Sequence, residues 1–291
     1  MKIRDAVVSL RPTQWTKNLF VAAALVFAKK IFDVPSLLRT LAAIAIFTLL
    51  AGSHYIVNDL LDFEEDRVHP RKSARPIAAG RIGRGEAAAL AAVLAAASLV
   101  LADLLSPAFF VAAAAYAILE LAYSYRLKHV VILDIFLVAS GFVLRVIAGG
   151  LVIGVPISPW LLLCTMLLAL FLAMSKRRHE LRLLAADASR HRPILEQYSL
   201  GLIDQMISVA TACTVIAYCL YTVSEETVRK FGTNRLIYTA PFVLYGIFRY
   251  LYLIYLKDEG GTPEELVLKD RPLLGAIVLW IATAVAIIYS S

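Results

Sequence analysis

Oxygen-bearing side chains recur with helical spacing in the stretch NDLLDFEED, residues 58–66. At about 100° per residue, four of them fall on one face of a helix. They are Asn58, Asp59, Asp62 and Asp66. Carboxylate and amide oxygens are the ligands that Mg²⁺ prefers, and the ion is usually shared with substrate phosphates. We therefore predict that these four residues bind Mg²⁺ and that the three aspartates are catalytic.

A purely solvated acidic face is the alternative interpretation of these carboxylates. Two observations disfavour it. Like charges four residues apart repel each other on a helix. The acidic stretch also directly continues the apolar run LAAIAIFTLLAGSHYIV, and ionisable groups in a membrane helix are costly and usually functional.

Basic residues follow the acidic stretch at once, namely Arg67, Arg71, Lys72 and Arg75. Carboxylates alone would bind a cation. With Arg and Lys beside them, the same site can also neutralise diphosphate oxygens that the metal does not reach. We predict a site that activates a diphosphate leaving group by spreading its developing negative charge.

The elements that must position this site are membrane helices. The chain has 291 residues, of which 60% are hydrophobic and 18% charged, and its mean hydropathy is +0.75. We predict an all-α polytopic membrane protein, a single domain over 1–291, with about nine helices each long enough for a hydrocarbon core of about 30 Å. The apolar segments are 15–33, 36–57, 86–104, 107–124, 131–153, 157–175, 203–223, 236–256 and 272–289.

The distribution of Lys and Arg predicts the orientation. With nine spans, 21 of these residues lie on the N-terminal side and 6 on the opposite side. Without the first segment, which carries Lys17 and Asn18 in its opening turn, there would be eight helices. By the positive-inside rule, the N-terminus and the loops on its side are cytoplasmic in a plasma-membrane protein. Those loops are 58–86, 125–130, 176–202 and 257–271.

The net charge of +7 follows from this topology alone, or it serves a polyanionic substrate or lipid head group. A nucleic-acid partner is not expected, and assembly of several copies is left open.

The acidic stretch resembles the NDxxDxxxD motif of the UbiA-type membrane prenyltransferase superfamily. RPTQWTKN at 11–18 and YSYRLKHVVILD at 123–134 resemble two further blocks of that family. The resemblance implies a nine-helix bundle around a Mg²⁺–diphosphate site that faces the cytoplasm. It also implies substrate contacts for Lys128 and Asp134, for which a plain salt bridge is the competing interpretation.

One departure from the superfamily pattern concerns the substrate. Typical members carry a second Asp-rich motif after the sixth helix, where this chain has SKRRHELRLL, with Glu180 as its only acid. This exchange resembles the branch of decaprenyl-phosphate phosphoribosyltransferases, as do RPIAAGRI, RVIAGG and EGGTPEELVLKDRP. That branch transfers 5-phosphoribose from phosphoribosyl diphosphate to a polyprenyl phosphate, releasing pyrophosphate, in a step toward lipid-linked arabinose for the cell wall.

Further substrate-binding roles follow from this interpretation. We expect Lys17, Arg67 and Arg75 near the diphosphate. We expect Lys176 and Arg177, oriented by Glu180, at the ribose 5-phosphate. Arg145 lies inside the fifth helix and needs a partner, which is either an acid such as Glu120 or the lipid phosphate.

Two other functions compete with this one. The first is a prenyltransferase that attaches an isoprenoid to an aromatic acceptor, and SKRRHEL disfavours it because the second set of acids is missing. The second is a transporter of phosphorylated anions. Transporter sites usually lie near the membrane midplane, whereas these charged motifs lie on one side.

Overall fold

The computed structural model describes residues 2–68, 72–185, 193–257 and 259–290, and the regular structure in these ranges is helical, without strands. The α-helices are α1 Ile3–Ser9, α2 Ala23–Phe27, α3 Val34–Leu61, α4 Phe63–Val68, α5 Arg84–Leu105, α6 Pro107–Tyr125, α7 Leu133–Val152, α8 Pro159–Ala185, α9 Leu200–Val223, α10 Glu225–Phe231, α11 Ala240–Leu256, α12 Pro263–Lys269 and α13 Arg271–Tyr289. Short 3₁₀ helices occupy Pro12–Ala22, Lys72–Ala74, Leu127–His129, Pro193–Gln197 and Arg235–Thr239.

Within these described ranges, eight helices are long and apolar enough to cross a membrane, which confirms an all-α polytopic protein. They are α3, α5, α6, α7, α8, α9, α11, with its preceding 3₁₀ turn, and α13.

The first predicted span differs from the expected α-helix. It is an 11-residue 3₁₀ segment, Pro12–Ala22, followed by the 5-residue helix α2. A 3₁₀ helix rises about 2.0 Å per residue and an α-helix about 1.5 Å, so the two together are roughly 30 Å long, the thickness of a hydrocarbon core. The 3₁₀ segment and α2 together therefore have the length of a ninth span, and the predicted count of about nine is approximate.

By its internal packing the chain divides into two compact units, which are residues 1–137 with 141–156, and residues 138–140 with 157–291. In the first unit, α3 packs against α5, α6 and the 3₁₀ segment. Its core contains the Phe47 ring, whose centroid lies 5.7 Å from that of Phe109 and 5.2 Å from that of Tyr116. Because lipid tails are as apolar as these rings, close packing rather than exclusion of water stabilises such contacts.

In the second unit, α8 packs against α9, and α11 packs against α13. Polar side chains join these helices. Trp280 Nε1 donates to Tyr218 Oη at 2.7 Å, and Tyr218 Oη lies 2.6 Å from Thr239 Oγ1. At the start of α13, Asp270 Oδ2 accepts from Arg249 Nη2 at 2.7 Å. This hydrogen bond holds the pKa of the Asp270 carboxyl below its usual range.

Gly149 of α7 permits a close approach between α7 and the 3₁₀ segment. A Cβ atom added to Gly149 would lie 1.9 Å from the backbone oxygen of Val21. The atoms nearest to this Cβ position belong to the backbone of Val21, which cannot turn aside as a flexible side chain would. Glycine is therefore required here by space and not by an unusual dihedral angle.

The first prediction tests this contact. Gly149→Ala should lower the free energy of unfolding by about 1–3 kcal/mol or more, because the methyl group overpacks a closed contact. The measurement is SDS-induced unfolding of the protein in mixed micelles. Gly275→Ala in α13 is the matched control, because a Cβ there meets nothing within 4 Å. Equal stability of the two variants would contradict the contact.

Candidate active site

The end of α3 and the short helix α4 carry the acidic stretch. The α3 helix ends at Leu61, Asp62 is its C-cap with φ −90° and ψ 13°, and α4 begins at Phe63. The Asp66 N–H donates to the Asp62 carbonyl at 2.8 Å, so the helical spacing continues across the junction.

Burial separates the acids of this stretch into two groups. Asp59, Asp62 and Asp66 have exposed fractions of 3%, 5% and 0%. Glu64 and Glu65 are exposed. The three aspartates that share a face by periodicity are therefore the ones that the fold buries.

Arginine side chains hold two of the buried carboxylates. Asp59 Oδ1 forms ion pairs with the guanidinium of Arg11 and with Arg75 Nη1, the latter at 3.0 Å. The same Nη1 atom of Arg75 lies 2.5 Å from Asp66 Oδ2. Lys72 Nζ lies 3.6 Å from Asp66 Oδ1. Arg75 thus joins the carboxylates of two successive helices.

The third carboxylate is held from a different part of the chain. Asp62 Oδ1 lies 2.5 Å from Lys128 Nζ, and both side chains are buried. Asn58 Nδ2 donates to Asp62 Oδ2 at 2.9 Å. Asp134 is fully buried in the first turn of α7. Residues Asn58 and Lys128 from two predicted motifs therefore meet at Asp62.

Sequence reasoning missed Arg11 as a site residue. It lies between α1 and the 3₁₀ segment in the left-handed region, with φ 51°, and its guanidinium also lies 4.9 Å from the centroid of the Tyr55 ring. Non-glycine residues with such a backbone cluster at functional sites. The signal available was its position at the start of RPTQWTKN, a polar stretch before an apolar segment.

Arg67, one of the predicted diphosphate ligands, is exposed on α4. Arg67 is 58% exposed and contacts its own helix, with Nη1 4.0 Å from Glu64 Oε2 and the guanidinium 5.6 Å from the centroid of the Phe63 ring. Lys17 is half-buried in the 3₁₀ segment, beside Asn18. Arg71 lies outside the described residues.

Arg145 of α7 is buried, with an exposed fraction of 3%, and each of its donor atoms meets protein. Nε donates to Asn18 Oδ1 at 2.9 Å, Nη1 to the Gly141 carbonyl at 2.8 Å and Nη2 to Tyr116 Oη at 2.8 Å. A Cβ atom on Gly141 would lie 3.4 Å from both Arg145 Nη1 and Glu120 Oε1, so the Glu120 carboxyl is close by. These contacts support the structural alternative for Arg145.

The basic end of α8 belongs to the second unit. Lys176 is exposed, whereas Arg177 is buried and its Nη1 lies 2.5 Å from Glu180 Oε2. Arg177 and Glu180 thus form the pair in which the acid was expected to orient the base. The basic loop continues through 186–192, which lies outside the described residues.

Arg178, which sequence reasoning did not single out, fixes this end of α8. Its Nε atom lies 2.8 Å from Asp204 Oδ1, its Nη1 donates to the Ile254 carbonyl at 3.0 Å, and its guanidinium lies 4.1 Å from the centroid of the Tyr255 ring. With partners on α9 and α11, Arg178 fixes the position of the helical turn that carries Lys176 and Arg177.

The donor set of the first unit fits a divalent metal in its chemistry. Mg²⁺ takes carboxylate and amide oxygens, which Asn58, Asp59, Asp62 and Asp66 carry. Asp66 Oδ1 is buried and accepts no hydrogen bond from the described residues. In the described part of the chain, however, no three acidic, His or Cys side chains converge as a metal-binding group, and the three aspartates contact Arg and Lys.

The fold matches that of solved helical membrane proteins over its whole length. A UbiA homolog from Archaeoglobus fulgidus, solved bound to GPP and Mg²⁺, superposes with a TM-score of 0.75 at 20% identity, covering 98% of this chain and 99% of that one. At that identity the likeness shows the fold, which is the helical bundle of UbiA homologs.

Residues 18–265 match the UbiA prenyltransferase family, and the chain belongs to it. A decaprenyl-phosphate phosphoribosyltransferase of Mycolicibacterium smegmatis is 36% identical, with 99% of this chain and 94% of that protein covered. A protein of the same name from Corynebacterium glutamicum is 34% identical, with 97% and 86% covered.

The second prediction concerns Arg145. Arg145→Leu should lower the free energy of unfolding by about 3–5 kcal/mol, because Asn18, Tyr116 and the nearby Glu120 lose a buried cation. SDS titration in mixed micelles measures it. Arg39→Leu, at an exposed position in α3, is the control and should change stability by less than about 0.5 kcal/mol. A variant at position 145 as stable as this control would disprove the structural role.

Proposed function

We propose that this protein transfers 5-phosphoribose from phosphoribosyl diphosphate to a polyprenyl phosphate of the decaprenyl type and releases pyrophosphate. The observation that carries the proposal is similarity over nearly the whole chain to relatives named decaprenyl-phosphate phosphoribosyltransferase. The composition of the charged sites agrees with it. The first unit holds buried carboxylates among cations. In the second unit, the basic stretch SKRRHELRLL carries Lys176 and Arg177 with Glu180 as its only acid.

The diphosphate of the donor is assigned to the first unit. Asn58, Asp59, Asp62 and Asp66 would hold Mg²⁺, which when bound supplies positive charge to the leaving diphosphate. Arg75 and Lys128 already contact these carboxylates. They would donate to phosphate oxygens, for which the planar fork of arginine is well suited.

The 5-phosphate of the donor is assigned to Lys176 and Arg177. Glu180 lies 2.5 Å from Arg177 and limits the directions that this guanidinium can take. A charge-assisted hydrogen bond from arginine to phosphate is roughly twice as strong as a neutral one. A prenyl diphosphate carries no phosphate group besides its leaving group, so these cations would favour the sugar donor.

The reaction then needs little proton transfer. The bond between ribose C1 and the diphosphate oxygen breaks, and its electron pair leaves with pyrophosphate. An oxygen of the lipid phosphate forms the new bond to C1. A phosphomonoester has a second pKa of about 6, so the acceptor is largely a dianion at neutral pH. No general base is required from the protein.

We place the site on the cytoplasmic side of the plasma membrane. The excess of Lys and Arg in the loops around 58–86 and 176–202 supports this orientation. Phosphoribosyl diphosphate is highly charged and water-soluble, so it would reach the site from the aqueous side. The polyprenyl chain would remain in the bilayer.

The third prediction tests the reaction and its metal ligands together. Membranes containing the protein should transfer label from phosphoribosyl diphosphate into the lipid phase only with Mg²⁺ and polyprenyl phosphate present. Asp62→Asn should lower this rate by about 10²-fold or more, the size of effect seen when one stabilising group is lost.

Glu64→Gln is the matched control, because this acid lies on the same stretch but is exposed, and it should keep nearly full activity. Labelled prenyl diphosphate with an aromatic acid should give no product. Transfer of the prenyl group in place of the ribose would establish the alternative function. Full activity of Asp62→Asn would refute the assignment of the metal.

The fourth prediction concerns the 5-phosphate. Lys176→Ala should raise the KM for phosphoribosyl diphosphate by about tenfold, the equivalent of one charge-assisted hydrogen bond, and leave the KM for the lipid within about twofold. Lys176→Arg should restore most of the donor affinity. Steady-state kinetics in detergent with each substrate varied in turn would measure both constants. Equal changes in the two constants would remove this role.

A further inference from the structure

Three buried carboxylates of the first unit are already paired with cations. Asp59, Asp62 and Asp66 have four basic side chains within 4.0 Å. These are Arg11, Lys72, Arg75 and Lys128. The negative charge of the three aspartates is therefore balanced before any ligand binds. Charge that is buried without compensation is costly, so the cluster constrains what can bind next.

We propose that Arg11 is a counter-ion of Asp59 that leaves this carboxylate for the diphosphate when the donor arrives. The divalent metal consequently binds together with the diphosphate and not before it. This inference rests on the proposed function of the site, and it adds an order of binding and a role for Arg11.

Charge balance gives the first reason. A divalent cation entering alone would add two positive charges to carboxylates that are already paired with cations. A diphosphate ester carries roughly three negative charges near neutral pH, about two on its terminal phosphate and one on the inner one. Metal and diphosphate together therefore add only about one charge, whereas either alone adds two or three charges of one sign.

Occupation of the ligand atoms gives the second reason. Asp59 Oδ1 is contacted by both Arg11 and Arg75. A metal ion can coordinate this oxygen only if a guanidinium moves away. A guanidinium leaves a buried carboxylate readily only for another anion, and phosphate matches its fork geometry. Asp66 Oδ1 is buried and accepts no hydrogen bond from the described residues, and the cation nearest to it is Lys72, with Nζ at 3.6 Å.

Arg11 is the easier of the two arginines to release. Arg75 bridges Asp59 and Asp66 through one nitrogen atom, so its release would break two ion pairs. Arg11 pairs with Asp59, so its release would break one. The Tyr55 ring, 4.9 Å from the guanidinium, offers a surface along which it can shift. Its backbone, with φ 51°, is held in place at the start of the 3₁₀ segment, so the movement is confined to the side chain.

The test measures binding and not turnover. The full-length protein in nanodiscs is dialysed against Mn²⁺, as a probe for Mg²⁺, with and without inorganic pyrophosphate, and the retained metal is counted after correction for the complex in solution. The wild-type protein should bind Mn²⁺ at least about tenfold more tightly with pyrophosphate, the equivalent of one charge-assisted interaction.

Arg11→Gln removes the counter-ion and should tighten the binding of Mn²⁺ alone by roughly five- to tenfold, while the gain from pyrophosphate shrinks by a similar factor. Arg11→Lys keeps the charge and should behave like the wild type. Lys269→Gln, at an exposed ion pair with Glu265 in the second unit, is the control and should also match the wild type.

The outcomes separate the inference from the function on which it rests. Tight binding of Mn²⁺ to the wild type without pyrophosphate would overturn the order of binding and leave the metal site intact. Weaker binding by Arg11→Gln under both conditions would mean that Arg11 is structural only, which also overturns the inference. No retention of Mn²⁺ by the wild type under either condition would overturn the proposed metal–diphosphate site itself.

Discussion

The ion pairs between the buried aspartates and their surrounding cations are the interaction on which the site depends. A membrane helix can end in three buried carboxylates only if other elements supply positive charge at once. Arg11, Arg75 and Lys128 do so from three separate places in the first unit. The requirement for neutrality therefore fixes where the chain before α3, the loop after α4 and the turn before α7 must lie.

The same constraint operates deeper in the first unit, with the sign of the charge reversed. Arg145 is a cation inside α7, and its hydrogen bonds to Asn18 and Tyr116 join the 3₁₀ segment and α6 to α7. Asn18 also donates to Thr48 of α3 at 3.1 Å. Since Arg11 precedes the 3₁₀ segment, the contacts that hold the segment also determine where Arg11 meets Asp59.

Structure and proposed chemistry use the same groups in this protein. Arginine and lysine that neutralise carboxylates without a substrate have the geometry and charge to bind phosphate when one is present. The second unit follows a related pattern, since Arg178 is tied to Asp204 and Ile254 while Lys176 stays exposed. Arg178 therefore holds the helices together, and Lys176 is exposed to solvent close by on the same helix.

The sequence alone determined the helical membrane architecture, from the length of its apolar runs, and the acidic face, from residue spacing within about two helical turns. Asp59, Asp62 and Asp66 share a face on any helix, and the fold buries all three. Arg67 was expected at the diphosphate by its nearness in sequence, yet it contacts Phe63 and Glu64, since its position on α4 points it away from the buried acids.

Only the tertiary structure decided which residues meet those acids. Arg11 and Asp59 are 48 residues apart, Lys128 and Asp62 are 66 apart, and Arg145 and Asn18 are 127 apart. The 3₁₀ form of the first span, with Gly149 against Val21, depends likewise on partners from other elements. Periodicity reports which side of a helix is buried, whereas the identity of an ion-pair partner depends on how separate helices pack, and that information is not local in the chain.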